Sequence, residues 1–98
     1  MLYHLVWLRA RDGTSPSQMA LLLARVRALA DEVPGVVSIK AGDNITDRAQ
    51  GYSHGIIVTL ADREALRTYL EHPEHVALGS LLRVHCDVLA LDFVDAGS

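Results

Sequence analysis

The sequence is poor in the groups that usually announce a function. A single cysteine, Cys86, stands among 98 residues, so no internal disulfide is available and no CxxC metal motif exists. Nine Lys and Arg residues are scattered among twelve carboxylates, for a formal net charge of −3. Phosphate backbones are bound through clustered cations, so nucleic acid is not an expected partner. No apolar run approaches the roughly 18 residues of a membrane-spanning helix. The longest, residues 19–24, lies inside an amphipathic pattern. A Gly-rich phosphate loop and a G-x-S-x-G elbow are both missing, which argues against nucleotide-dependent and serine-hydrolase chemistry. The chain opens directly into a strand-like pattern with no charged-then-apolar leader. With its lone cysteine, this gives the expectation of a cytoplasmic protein with no membrane association.

What is present belongs to a globular domain: 50% hydrophobic and 21% charged residues. One domain over residues 1–95 is expected, with residues 96–98 as a disordered tail. A chain this short buries only roughly 60–70% of its unfolded surface, so a second subunit would add stability that a monomer finds hard to reach.

Residues 1–9 (MLYHLVWLR) read as a strand with large groups on both faces: Leu2, His4, Val6 and Leu8 on one, Tyr3, Leu5 and Trp7 on the other. Helices can cover one such face, and something else, such as another subunit, must cover the second. Ser15-Pro16-Ser17-Gln18 combines an N-cap serine, a first-turn proline and a capping-box glutamine. Met19, Leu22, Leu23, Val26, Leu29 and Ala30 then trace one helical stripe, which Pro34-Gly35 ends. A second strand over residues 36–41 sets Val37, Ile39 and Ala41 against Val36, Ser38 and Lys40. A loop over 45–51 leads to a third strand over 52–60, with His54, Ile56, Val58 and Leu60 on one face. Asp62 caps a second helix with Leu66, Tyr69 and Leu70 inside. Helical spacing resumes after Pro73 through Val76, Leu78 and Leu82, and residues 84–94 form the last strand. The order is βαββαβ, a ferredoxin-like α+β fold with both helices on one face of a four-stranded, mainly antiparallel sheet.

Chemistry centres on the five histidines. His4 and His54 sit on otherwise apolar strand faces, where the competing reading is a buried histidine bonded to a neighbouring backbone group. In the segment Tyr69 to Val76 (YLEHPEHV), Pro73 breaks the helix and can turn His75 toward the side that Tyr69 faces. A phenol and an imidazole with apolar walls make an acid–base pair suited to carbonyl chemistry; a capped helix junction with Tyr69 in the core is the structural alternative. A metal site is disfavoured, because His72 and His75 lack a ligating motif and Pro73 interrupts the helix that would align them. Cys86 reads as packing, since nothing near it in sequence lowers its pKa.

Several short pieces recur together in one known family: LYHLVWL, Val33-Pro34-Gly35, Gly42-Asp43-Asn44, Gly51-Tyr52-Ser53-His54 and Tyr69…His72-Pro73-Glu74-His75. In this order they resemble the stress-responsive α/β-barrel (Dabb) proteins across nearly the whole chain. The resemblance implies a dimeric α+β barrel, a homodimer joined through the open sheet face. It also implies that Tyr69 and His75 are catalytic, as in the polyketide cyclases among the plant members, with His4 and His54 lining the pocket. Val6, Leu23, Ile56, Val76 and Leu78 would complete an apolar wall for a small apolar or aromatic ligand. The function expected is a cyclase or lyase acting on a polyketide-like or aromatic carbonyl compound with no metal and no organic cofactor. Two alternatives stand beside it: a non-enzymatic stress-response or ligand-binding barrel, and a cofactor-independent monooxygenase, the latter from fold analogy alone.

Overall fold

In a computed structural model describing residues 1–96, the elements follow as β1 (Leu2–Ala10), α1 (Pro16–Glu32), β2 (Val36–Asp43), β3 (His54–Leu60), α2 (Arg63–Glu71), α3 (Pro73–His85) and β4 (Cys86–Val94). This is the expected βαββαβ order with its second helix broken in two. Of the tail expected to be disordered, Gly97 and Ser98 lie outside the described residues. The strands pair antiparallel in the order β2-β3-β1-β4, a ferredoxin-like sheet. Among the described residues no helix is long and apolar enough to cross a membrane.

Local signals place α1. The Ser15 side chain accepts from the Gln18 backbone N–H at 3.1 Å, and the Gln18 side chain accepts from the Ser15 N–H at 2.7 Å, which satisfies two donors that a helix start leaves open. Its stripe of Met19, Leu22, Leu23, Val26 and Leu29 is buried against Leu2, Val6 and Leu8 of β1 and Ile56, Val58 and Leu60 of β3. Cys86 lies in the same core, fully buried with its Sγ 3.6 Å from the Met19 sulfur. Burial raises its pKa above the usual thiol value, so it is the packing group the sequence suggests.

Three boundary details differ from the sequence reading. A bulge between Val36 and Ser38 in the β2–β3 register reverses the expected parity: Val36 joins Ile39 and Ala41 against the core, while Val37 is 54% exposed. One extra residue in a strand has this effect because side chains alternate with a period of two. The last strand begins at Cys86 and not at residue 84, because α3 continues through His85. Its end is capped from a distant turn: the Arg11 N–H donates to the His85 carbonyl at 2.8 Å, and the Arg11 side chain to that of Arg83 at 2.8 Å. Leu70, expected inside, lies on the exposed side of α2.

The helices cover one sheet face. On the other, Trp7, Ile57, Leu89, Leu91 and Phe93 remain 44–61% exposed, with the Tyr3 and Phe93 rings 5.5 Å apart. These side chains form an exposed apolar patch on that face.

Candidate acid–base site

The break between α2 and α3 builds the site. His72 ends α2 and starts α3; its Nδ1 accepts from the Glu74 N–H at 3.2 Å. Pro73 then occupies the first position of α3, where its missing N–H costs no helical bond. Tyr69 on the last turn of α2 and His75 on the first turn of α3 therefore meet, with ring centroids 4.5 Å apart. His4 reaches up from β1 to complete the group, 5.7 Å from Tyr69 and 6.4 Å from His75. Strand parity and a proline break thus bring three of the four expected polar residues into one cluster.

Burial and neighbouring groups set the proton chemistry of the cluster. His75 Nδ1–H donates to the Leu70 carbonyl at 3.2 Å; a carbonyl only accepts, so the neutral ring carries its proton on Nδ1 and leaves the Nε2 lone pair free. Burial lowers the His75 pKa, and the charges of His4, Arg83 and His72 push the same way against the opposing Leu70 hydrogen bond. Tyr69 is 3% exposed, and burial pushes its phenol up to about 12. His4, 5% exposed, hydrogen-bonds through Nδ1 to the Asp92 carboxylate, which fixes its tautomer and likewise leaves Nε2 free. No hydrogen bond to the Tyr69 hydroxyl is formed among the described residues, where every fully buried polar side-chain atom has a partner. The hydroxyl oxygen is therefore not fully buried.

Asp92 is the residue the sequence reading missed. It faces inward because it lies opposite His4 in the β1–β4 register, two residues beyond Ala90 on the same face. Parity gives its face, but only the pairing of β4 with β1 sets it opposite His4.

His54 is not part of this cluster. It pairs opposite Leu8, whereas His4 pairs opposite Val58, so the two histidines are offset by about 13 Å along the strands. His54 instead bonds Ser53 Oγ at 2.7 Å and approaches Asp43 at 3.4 Å. Parity assigns a face; it does not assign a position along the strand. Of the expected apolar wall, Val6, Leu23, Ile56 and Leu78 are 2–8% exposed and belong to the closed core, while Val76 is 52% exposed on the outer side of α3. Val76 follows His75 directly, and consecutive helical residues point about 100° apart, so turning His75 inward carries Val76 out. Among the described residues no group of three or more His, Cys, Asp or Glu side chains is arranged to hold a metal ion.

The chain belongs to the stress-responsive A/B barrel domain family, whose model matches residues 2–95. It is 30% identical to an uncharacterized protein of Streptomyces coelicolor over 95 residues, covering 95% of this chain and 98% of that one. It is 27% identical to olivetolic acid cyclase of Cannabis sativa over 82 residues, covering 82% and 81%. Among solved structures, a dimeric ferredoxin-like protein of unknown function from Jannaschia sp. superposes with a TM-score of 0.84 at 29% identity, covering 96% of this chain and 98% of that one.

Proposed function

We propose that this chain is a cofactor-free cyclase or lyase acting on a polyketide-like or aromatic carbonyl compound, with Tyr69 and His75 as its acid–base pair. The observation that carries the reading is their opposite tuning within one 4.5 Å contact: a base kept neutral and a phenol kept protonated. The similarity to a cyclase supports it.

The chemistry follows from the free atoms. His75 Nε2 removes a proton from carbon next to a carbonyl, and the electron pair moves into that carbonyl to form an enolate. The Tyr69 hydroxyl hydrogen-bonds the oxygen where negative charge develops. The enolate carbon then attacks a second carbonyl of the same molecule, and the proton on His75 returns to the new alkoxide. His4, held by Asp92, offers its Nε2 to orient the substrate. His54, bonded to Ser53 and near Asp43, has no part in this site.

The working unit in this reading is a homodimer joined through the open sheet face. The exposed apolar side chains there and the dimeric state described for the Jannaschia protein support it.

The test is ring closure of a linear poly-β-ketone, followed above the spontaneous rate by the absorbance of the aromatic product that forms once the aldol loses water and its remaining carbonyls enolise. His75→Ala is expected to lose about 10²–10⁴-fold in rate, and Tyr69→Phe a smaller but clear factor. If both variants fold like the parent chain and close the ring at its rate, the pair is structural and the protein is a ligand-binding barrel.

A further inference from the structure

Helix α3 presents two flanks. On one, Glu74 and Leu78 border a small hollow shared with Ala28 and Leu29 of α1. The other carries His75, Gly79 and Arg83, which form one stripe because residues four apart share a helix face. This second flank looks away from α1, toward β4, the edge strand of the sheet.

The inner face of β4 is only partly covered there. Val88, Ala90 and Asp92 stand opposite Leu8, Val6 and His4 in the register, so all three point to the helix side of the sheet. Cover falls away along the strand: Cys86 is fully buried, Val88 half-buried, and Ala90 and Asp92 exposed. A cleft therefore opens between α3 and β4, on the side of the sheet away from the face assigned to a second subunit. Its floor ends at Asp92 and His4, beside Tyr69 and His75.

Gly79 and Arg83 shape the wall above. Beyond its chain neighbours and the helix backbone, a Cβ added at Gly79 would meet one atom within 4 Å among the described residues, the Arg83 Nη1 at 3.4 Å. The Arg83 guanidinium folds back along the helix and donates to the Gly79 carbonyl at 3.3 Å. Gly79 is four residues from His75, a rise of about 6 Å, so the cation is held about one turn along the cleft from the imidazole. Its charge is felt there, as one of the groups that lower the His75 pKa. Among the described residues no carboxylate pairs with Arg83. Asp92 is bonded to His4, and Asp87 pairs with Arg9 and Arg11.

We infer that Arg83 determines specificity by holding a carboxylate of the substrate, so that this site takes a keto acid whose acid group lies about one helical turn from the reacting carbonyl. The inference rests on the acid–base reading for one point, that the carbonyl meets Tyr69 and His75. Gly79 leaves room for the chain between the two groups; a larger side chain there would stand between Arg83 and His75.

A ligand that cannot close a ring separates this inference from catalysis. In titration calorimetry, 4-oxo-4-phenylbutanoate, with one aromatic ketone and one carboxylate, should bind saturably and about tenfold more tightly than the neutral 4-oxo-4-phenylbutanamide, the scale of one charge-assisted contact. Arg83→Gln should bring the acid down to the affinity of the amide, and Arg83→Lys, which keeps the charge but not the planar fork, should retain part of the preference. Equal binding of acid and amide by the parent chain, a preference that survives Arg83→Gln, or no saturable binding of the acid would each overturn it. An acid preference that disappears in Arg83→Gln, in a protein that closes no poly-β-ketone ring, would uphold Arg83 as the carboxylate site and end the cyclase reading instead.

Discussion

The acid limb of the pH–rate profile is where the tuning of His75 is most exposed to test. Burial and three positive or titrating neighbours hold its pKa below the ordinary 6.5, so at pH 7 at least about three quarters of the enzyme carries the neutral base. Raising the pH from 7 to 9 should therefore increase kcat/KM by no more than about a third. Tyr69, pushed up to about 12, is roughly 1% ionised at pH 10, so the plateau should persist to that point. The sign of each neighbour's effect then gives a second arm. Arg83→Gln removes a cation that disfavours protonated His75, so its pKa rises and the acid limb moves to higher pH. Arg83→Lys keeps the charge and should leave the limb in place. The assay is the initial rate of poly-β-ketone closure between pH 5 and 10, with circular dichroism confirming the fold at each end. A limb centred above 6.5 in the parent chain, or one that moves down in Arg83→Gln, would refute His75 as the base.

Two structural predictions accompany it. Leu89→Glu places a charge at the centre of the open sheet face, where Leu89 is 46% exposed beside Trp7 in the β1–β4 register; sedimentation at micromolar concentration should show monomers or aggregates where the parent chain is dimeric, and a parent chain that is itself monomeric would end the barrel reading. Gly35→Ala should destabilise the fold by about 2–4 kcal/mol in chemical denaturation. Gly35 sits at φ 86° and an added Cβ would lie 2.8 Å from the Ala65 Cβ, combining the left-handed backbone cost with overpacking; a loss under about 0.5 kcal/mol, the usual range for an unconstrained surface change, would contradict it.

How much of this was legible in the sequence depends on the range of the forces involved. The start of α1 was fully readable because its cap, proline and glutamine lie within four residues and satisfy one another locally. The pairing of Tyr69 with His75 was readable for the same reason: Pro73 acts on its own helix. The end of α3 was not, since its cap comes from Arg11, more than 70 residues away, and Val84 suits a strand as well as a helix. The bulge at Val36/Ser38 was hidden too, because Val36 and Val37 are chemically the same and only the pairing with β3 distinguishes them.

The site divides along the same line. Faces follow from a period of two, so His4 was placed correctly; positions along a face follow from register, so His54 was grouped with residues that it does not meet. Asp92 shows the converse. Seen in sequence it is one carboxylate among twelve, at the exposed end of an edge strand. Only the antiparallel register to β1 sets it opposite His4, and that single pairing turns an ordinary acidic residue into the group that fixes an imidazole tautomer. A histidine at this depth without such a partner would have no preferred nitrogen to offer. The β1–β4 pairing thus does for His4 what the Leu70 carbonyl does for His75: it holds the proton on Nδ1 and leaves Nε2 to work.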